Sequence, residues 1–360
     1  MKKTFVKLIA SVTCMALISG SALSGCASQS SSTSSAAQSS PASAAVASAS
    51  GSESSTSGKK PKIAFIPQLI GIPYFTAMQK GGEQAAKDLG VDFIYTGSTT
   101  ASAPDQSRIM DSLIRQKVDA ISLSVLDSSS INPIIQKAQQ AGIKVYTSDS
   151  DSPDSTRDFY VAQALDEDLG YTLIDRLAAH IGGSGKIGIV SGTSTATNLN
   201  NWINYMKERV KQKYPNISIV DVQYTTSSED ALKKAQGLIV KYPDLKGLVA
   251  VASTTIPGVC QAVQQASKAG KIDVIGYGSP KTVAPYISSG IMKESILWDA
   301  KALGYLTVWA GAQVAAGKSF SAENKVPGFD KPVKYLADKK ILLLGDPLVI
   351  SKDNVNSFDF

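Results

Sequence analysis

The chain has 360 residues, with 36 Lys and Arg against 30 Asp and Glu, a formal net charge of +6, three cysteines and one histidine. No stretch collects its basic residues on one face, which argues against a nucleic-acid-binding protein. Cys14 and Cys26 lie near the N-terminus, so Cys260 is the only thiol further along. One thiol provides neither an intramolecular disulfide nor a cysteine metal cluster.

The first 26 residues have the pattern of an export signal. Lys2, Lys3 and Lys7 precede an apolar stretch that ends in the small residues before Cys26. The sequence Leu-Ser-Gly-Cys at this point matches the bacterial lipobox, in which the cysteine receives a lipid. We expect residues 1–26 to be a lipoprotein signal peptide and Cys26 to be lipidated, which would anchor an exported protein to the outer face of the cytoplasmic membrane or within the periplasm. An ordinary secretory signal or a retained anchor helix is the alternative.

Residues 27–59 are expected to form a flexible tether. The tract from Ala27 to Gly58 is dominated by Ser and Ala and has one charge, Glu53. Such a segment does not bury enough apolar surface to offset the entropy of ordering. Without the signal, 33 basic and 30 acidic residues remain, a balance of +3. About 300 residues follow, a length that commonly divides into two domains.

From residue 62 onward, short apolar runs alternate with helical patterns, which predicts parallel sheets with helices on both faces. The chain is predicted to form strands at 63–66, 92–96, 120–125, 145–147, 186–190, 217–222, 247–251, 272–277, 293–297, 341–344 and 348–350. Helices are predicted at 75–89, 104–116, 132–141, 166–181, 202–214, 230–241, 257–269, 283–289 and 302–316. The pattern restarts after about residue 165, so the fold class is α/β, with two doubly wound parallel-sheet lobes joined by a hinge of several crossings.

The last elements do not continue a simple tandem of lobes. We assign 60–162 plus about 298–325 to the N-terminal lobe, and 163–297 plus about 326–360 to the C-terminal lobe and a tail.

The candidate binding residues follow the predicted strands, because ligands of open parallel sheets lie outside the carboxyl ends of the strands. Amides, hydroxyls, carboxylates and rings at these positions suit a neutral polyol. The selected residues are Gln68, Tyr74, Phe75, Asp149, Asn198, Asn201, Ser253, Trp298 and Asp299.

A structural explanation fits each of these residues equally well when it is taken alone. Polar residues after strands often form turns or helix caps, as Asn198 would before the Trp202 helix and Asp149 would in a turn. Tyr74 and Phe75 at a helix start would fit a core position. The favourable point is that the candidates occur in both lobes.

Catalytic interpretations have little support. The only histidine, His180, ends a helical pattern, where a cationic side chain interacts favourably with the helix dipole. No nucleophile elbow or phosphate-binding P-loop occurs, and the glycines at 182–185 precede a strand instead of following one. We therefore expect no enzymatic activity, no cofactor and no metal.

Several segments are similar to type I periplasmic binding proteins of the ribose class. They are the opening 60–67, the entry Pro73-Tyr74-Phe75, the stretch 118–121 and the stretch from Gly142 to Asp149. The segments 147–151, 297–299 and 357–360 resemble a branch of this class that contains the autoinducer-2 receptor of the Lsr system and rhamnose-binding proteins. The resemblance covers nearly all of 60–360.

The resemblance implies a two-lobed clamp that closes on a small polyol, with Asp149 accepting hydroxyl hydrogen bonds and the Tyr74–Phe75 pair covering the ring. The autoinducer receptor has Lys in place of Gln68, Asp-Gln in place of Asn198-Leu199, and Pro and Ala in place of Val251 and Ser253. These departures favour a differently hydroxylated or deoxy sugar, such as L-rhamnose or a pentose, beside autoinducer-2.

The expected function is therefore delivery of a small sugar to an ABC importer by a monomeric binding protein. Its partners would be the permease subunits and, through the lipid alone, the membrane. Presentation of the ligand to a membrane sensor is the alternative. A LacI-type regulator shares the fold but requires an N-terminal helix-turn-helix, where this chain has a lipobox.

Overall fold

A computed structural model describes residues 59–360. The predicted signal peptide with Cys26 and nearly all of the predicted tether therefore lie outside the described residues. Within 59–360, no helix combines the length and the apolar character that crossing a bilayer requires.

The first sheet has eight strands: β1 (Lys62–Ile66), β2 (Asp92–Tyr95), β3 (Ala120–Leu123), β4 (Lys144–Ser148), β5 (Tyr160–Ala162), β11 (Glu323–Asn324), β12 (Val333–Leu336) and β13 (Ile341–Leu343). Their order across the sheet is β11-β12-β13-β5-β4-β3-β1-β2. The central strands are parallel, and β11 and β12 add an antiparallel edge. The fully buried Ala-Ile-Ser-Leu of β3 is typical of a strand covered on both faces.

The second sheet is built from β6 (Gly185–Ser191), β7 (Ile217–Tyr224), β8 (Leu245–Ala250) and β9 (Asp273–Gly276) in the parallel order β7-β6-β8-β9. An antiparallel pair, β10 (Glu294–Leu297) with β14 (Leu348–Ser351), continues it. Bridges from Val274 to Met292 and from Tyr277 to Ile296 join this pair to β9.

Nine α-helices cover the two sheets in the described part of the chain. They are α1 (Pro73–Leu89), α2 (Ala103–Arg115), α3 (Ser128–Gln140), α4 (Asp166–Ile181), α5 (Thr197–Lys213), α6 (Ser228–Lys241), α7 (Ile256–Gln265), α8 (Pro280–Ser288) and α9 (Ala300–Ala315). Helices α1, α2, α3 and α9 pack with the first sheet, and α4 to α7 pack with the second, while α8 packs against α7. This is the α/β architecture of two parallel sheets that the sequence predicts.

Helices α1 and α9 lie unusually close together because both carry glycine at their contact. A Cβ on Gly81 would lie 1.8 Å from the Lys301 carbonyl oxygen, and one on Gly304 would lie 1.9 Å from the Met78 carbonyl oxygen. Backbones approach this closely only where side chains are absent. The contact fixes the helix that begins beside Tyr74 against the helix that follows Trp298.

Two sequence-based expectations need correction. The sequence predicts that about 326–360 belong to the second lobe and its tail, whereas β12 and β13 belong to the first sheet, where β13 pairs with β5. The reason is that β5, a short strand without a sequence signal, leaves an open edge that β13 covers. The start of α3 is predicted at Asn132, but Asp127 caps this helix by accepting hydrogen bonds from the amides of Ser129 and Ser130.

The chain passes between the two sheets three times. The crossings are 163–165 after β5, 298–299 before α9, and 344–347 between β13 and β14. The crossings follow the carboxyl ends of β5, β10 and β13. They therefore lie close to the sheet edges at which the parallel strands of both sheets end.

Candidate functional site

The carboxyl ends of both sheets border one cavity of about 80 Å³. Residues after β1 and β4 line it from the first sheet, and residues after β6, β8, β9 and β10 line it from the second. The lining consists of Gln68, Leu69, Ile72, Tyr74, Phe75, Asp149, Asn198, Leu199, Trp202, Val251, Ala252, Ser253, Thr254, Tyr277, Leu297 and Trp298. Ligand pockets commonly measure about 300–1,000 Å³, so the cavity corresponds to a tightly closed cleft.

Asp149 is the central polar group of the cavity. It follows β4 directly and adopts a left-handed backbone conformation, φ +68°, which Asp tolerates better than most residues. One carboxylate oxygen accepts a hydrogen bond from the Tyr74 hydroxyl at 2.5 Å, and the other accepts one from the Ser124 hydroxyl. Each oxygen keeps a second lone pair, so the carboxylate retains acceptor capacity toward the cavity.

Burial changes the acidity of this carboxyl. Asp149 is 2 % exposed, and removal from water raises its pKa to about 6, because the charged form loses hydration. The hydroxyls of Ser124 and Tyr74 oppose this rise in pKa by bonding to the carboxylate, and the negative charge of Asp166 adds to it. Burial and the nearby Asp149 charge hold the pKa of Tyr74 well above its ordinary value, so Tyr74 remains a hydrogen-bond donor.

A relay of hydrogen bonds joins Asp149 to the crossing that precedes α9. The indole nitrogen of Trp298 donates to the Tyr74 hydroxyl at 2.9 Å, and that hydroxyl donates onward to Asp149. Trp298 directly follows β10, whereas Tyr74 lies in the first turn of α1. The relay therefore orients the rings of Trp298 and Tyr74, and it occupies the N–H group of Trp298 and the O–H group of Tyr74.

Five aromatic rings surround the cavity: Tyr74, Phe75, Trp202, Tyr277 and Trp298. Trp202 lies 4.7 Å from Tyr277 and 5.7 Å from Trp298, measured between ring centroids. Tyr74 meets Trp298 edge-on at 5.7 Å. Such tilted and edge-to-face contacts stabilise a rigid wall and leave ring faces free for a guest.

Two direct hydrogen bonds close the cleft between the lobes. The Gln68 amide nitrogen donates to the Asn198 side-chain oxygen at 3.4 Å and to the Val125 carbonyl at 3.0 Å. The hydroxyls of Ser128 and Thr197 lie 2.9 Å apart. These residues begin or precede helices on opposite lobes, so the bonds exist only while the lobes are together.

Seven of the nine predicted binding residues line this one cavity: Gln68, Tyr74, Phe75, Asn198, Ser253 and Trp298 together with Asp149. The other two lie outside it. Asp299 caps α9 by accepting a hydrogen bond from the Ala302 amide at 2.8 Å. Asn201 donates to Asp166 at 3.0 Å, behind the cavity wall.

The lining also contains rings and aliphatic side chains that the sequence analysis did not select. Tyr277 ends up beside the cavity because it follows β9, and the same strand-end rule would have found it. Trp202 lies in the second turn of α5 and reaches the cavity through its size. Leu199 and Val251 supply an apolar surface on the second lobe.

The charge of the lining is asymmetric. Asp149 is its only charged side chain, and none of the described residues that border the cavity is Lys, Arg or His. An anionic guest would therefore find no countercharge, and placing a second negative charge beside Asp149 would be unfavourable. The arrangement suits a neutral molecule that donates hydrogen bonds along one edge and presents an apolar face.

His180 lies far from this cavity, at the amino-terminal ends of β9 and β10. Its ring nitrogens lie 2.7 Å from an Asp273 oxygen and 3.2 Å from a Glu294 oxygen, and Arg176 also bonds Glu294. The group fastens α4 to the second sheet. Among the described residues, no cluster of three or more His, Cys, Asp or Glu side chains has a geometry that would hold a metal ion.

Comparisons with known proteins show the family and the fold. The family described as "periplasmic binding protein domain" matches residues 63–319. A D-ribose/D-allose-binding protein of Pseudomonas aeruginosa is 27% identical over 246 residues, which cover 64% of this chain and 75% of that protein.

Two solved structures share the fold over most of their length. LsrB from Clostridium saccharobutylicum, in complex with AI-2, is 25% identical with a TM-score of 0.77, and the match covers 83% of this chain and 100% of LsrB. An ABC transporter solute-binding protein from Clostridium phytofermentas with bound L-rhamnose is also 25% identical with a TM-score of 0.77, over 83% and 98% of the two chains.

Proposed function

We propose a function from one premise: the chain belongs to the periplasmic binding protein domain family, as a type I member of the ribose class. Members of this class bind sugars for ABC transporters. The proposal is that this chain delivers a small neutral sugar, of the autoinducer-2, rhamnose or pentose kind, to the permease subunits of an ABC importer.

The observation that carries the proposal is the composition of the cavity. A single buried carboxylate, Asp149, faces rings from both lobes, and no basic side chain borders the cavity in the described chain. Carboxylate and amide groups bond hydroxyl pairs, and rings cover C–H faces. An acidic sugar or a phosphorylated sugar fits poorly because it would bring a second negative charge.

The charged acceptor lies on one wall of the cavity, which narrows the kind of sugar. The first lobe offers the Asp149 carboxylate, whereas the second lobe offers the apolar Leu199, Val251 and Trp202 beside the uncharged polar Asn198, Ser253 and Thr254. A guest with a hydroxyl edge and a methyl or bare ring face would satisfy both. L-Rhamnose has this character, and it is the molecule bound in the similar structure from Clostridium phytofermentas.

Delivery depends on closure of the cleft. The Gln68–Asn198 and Ser128–Thr197 contacts join the lobes directly, and the cavity is too small for a sugar to enter while they hold. We infer that the lobes open about the three crossings and that a bound sugar shifts the population toward the closed form, which the permease recognises.

The cellular placement remains part of the proposal. The lipobox at Cys26 supports a lipid anchor on the exported protein, with 27–59 as a tether of the folded part. We propose that the folded part acts as a monomer, with the lobes formed by 60–162, 298–343 and 163–297, 344–360.

Native mass spectrometry of the purified protein, followed by calorimetry, tests the function. The panel is L-rhamnose, D-ribose, L-arabinose, D-xylose and autoinducer-2, with D-glucuronate as the anionic control. We expect binding of at least one neutral sugar and none of D-glucuronate. Absence of binding for every neutral sugar, or tight binding of D-glucuronate, would overturn the proposal.

A further inference from the structure

Trp202 presents its ring to the cavity, but its polar atom points elsewhere. The indole nitrogen donates to a carboxylate oxygen of Asp166 at 2.7 Å. The second oxygen of that carboxylate accepts a hydrogen bond from Asn201 at 3.0 Å. Asp166 itself does not border the cavity, so it acts on Trp202 from behind the wall.

The fold places Asp166 at this point for a clear physical reason. Asp166 is the first residue of α4 and follows the first crossing between the lobes. A carboxylate at a helix N-terminus is favoured by the helix dipole, which compensates part of the cost of burial. Burial still raises its pKa, whereas the bonds from Asn201 and Trp202 lower it. Those two donors are thus the partners that stabilise the charged form.

The second tryptophan of the cavity has its nitrogen occupied in the same manner. Trp298 donates to the Tyr74 hydroxyl, which donates to Asp149. Each tryptophan is therefore held by a carboxylate, directly by Asp166 in the case of Trp202 and through Tyr74 by Asp149 in the case of Trp298. A guest meets the ring faces of both and the N–H group of neither.

We propose that Asp166 is a positioning residue that sets the specificity of the cavity, an inference that rests on the proposed sugar-binding function. By keeping the Trp202 N–H group outside the cavity, Asp166 makes the surface that Trp202 contributes beside Leu199 and Val251 apolar. A guest then gains by presenting a methyl group or a C–H face there, and an extra hydroxyl at that face remains unpaired. Without Asp166, the buried indole N–H group lacks a partner and turns toward an acceptor on the guest.

The test compares L-rhamnose with L-mannose, which has a hydroxyl group where L-rhamnose has a methyl hydrogen. Calorimetry on the wild-type protein is expected to give a preference of about tenfold or more for L-rhamnose, the size expected for one group in an apolar pocket. Asp166→Leu is expected to reduce this ratio to about threefold or less, because the indole loses its acceptor. Asp166→Asn keeps an acceptor oxygen and is expected to retain most of the preference.

A second pair of variants tests whether the effect of Asp166 depends on the Trp202 N–H group. Trp202→Phe keeps a ring but has no N–H group that could turn into the cavity, so it should retain the preference for L-rhamnose. In the Trp202→Phe background, Asp166→Leu should no longer reduce the ratio, because the group that it would release is absent. An unchanged ratio in folded Asp166→Leu, or an equal reduction by Asp166→Leu in both backgrounds, would overturn the proposal.

A spectroscopic readout separates this inference from the function on which it rests. In the ligand-free protein, the indole N–H signal of Trp202, assigned by its loss in Trp202→Phe, should lie downfield in a nitrogen–proton correlation spectrum and move upfield in Asp166→Asn. If the wild-type protein binds no sugar of the panel, the proposed function fails and this signal alone decides whether Asp166 holds Trp202. A Trp202 signal that Asp166→Asn leaves in place refutes the positioning role.

Discussion

The side-chain amides of Gln68 and Asn198 meet at 3.4 Å across the cleft, one from each lobe. Gln68 also donates to the Val125 carbonyl in its own lobe, so it is oriented before the lobes meet. Gln68 is therefore already oriented in the first lobe, and its bond to Asn198 stabilises the closed form when the second lobe moves into contact.

Removing this contact should weaken binding modestly. Gln68→Ala is expected to raise the Kd by about twofold to tenfold, since a typical hydrogen bond contributes about 0.5–1.5 kcal/mol. Asn198→Ala should act similarly, and the double variant should lose less than the product of the single effects. Calorimetry measures both, and Gln140→Ala, at an exposed position of α3, is the control with unchanged affinity. Fully multiplicative losses would mean that the two amides act independently.

Asp149 should be essential for binding through its charge. Asp149→Asn keeps the shape and tolerates the left-handed backbone at this position, so its effect isolates the carboxylate. We expect the affinity to fall by tenfold or more, because a hydrogen bond to a charged group contributes about 1.5–3 kcal/mol. Asp149→Ala should lose at least as much affinity and also some stability, because Ala is strained at a φ of +68°. Near-normal affinity of Asp149→Asn in calorimetry would place the essential acceptor elsewhere.

Binding should weaken as the pH falls through 6. Burial raises the pKa of Asp149 to about 6, and the carboxylate, not the acid, is the better acceptor for sugar hydroxyls. The Kd at pH 5 is expected to be about tenfold higher than at pH 7. A fluorescence titration at several pH values measures this, and Asp149→Asn should show a flat profile. An equally steep profile in that variant would assign the titration to another group.

The same pKa predicts the opposite pH dependence for stability. Because the folded-state pKa of Asp149 lies above its ordinary value of 3.8, the folded protein binds a proton more readily than the unfolded chain. This contribution to stability is present below about pH 4 and is lost as the pH rises to about 6. Thermal unfolding should therefore show that wild type loses more stability between pH 4 and pH 7 than Asp149→Asn does. An identical loss in both proteins would contradict the raised pKa.

Close packing of α1 against α9 should control both stability and binding. Gly81→Ala places a methyl group against the Lys301 carbonyl at 1.8 Å, so the helices must separate. We expect a loss of about 1–3 kcal/mol in unfolding free energy together with weaker sugar binding, because Tyr74 and Trp298 lie at the start of these helices. Gly237→Ala is the matched control: it lies within α6 with open space around it, and it should stabilise by about 0.5–1 kcal/mol. Wild-type stability of Gly81→Ala in urea unfolding would refute the tight contact.

Much of the cavity follows from one rule, that the carboxyl ends of parallel strands meet at one edge. This rule brings Asp149, Ser253 and Trp298 together from positions far apart in the sequence. The rule does not distinguish residues that line the cavity from residues that cap the helix after the strand. Asp299 caps α9 one residue after Trp298 lines the cavity, and both follow the same strand.

The remaining part of the fold depends on contacts with no local signal. Strand β5 has three residues, and its partner β13 also has three, so neither has a periodic pattern to detect. Asp166 bonds Trp202 across 36 residues of sequence, which no spacing rule indicates. Composition and periodicity predict the helices and strands. The pairing of β13 with β5 determines which lobe the last strands join.

The pairing of β13 with β5 has a consequence for synthesis of the chain. Residues 341–343 complete the first sheet beside residues 160–162, so nearly the whole chain must emerge at the site of folding before that edge is covered. Until then β5 presents unpaired backbone groups, a template for association with other strands. Contacts that span such a long stretch of sequence also slow folding. A nascent chain of this protein should therefore depend on chaperones for longer than a chain whose lobes close one after the other.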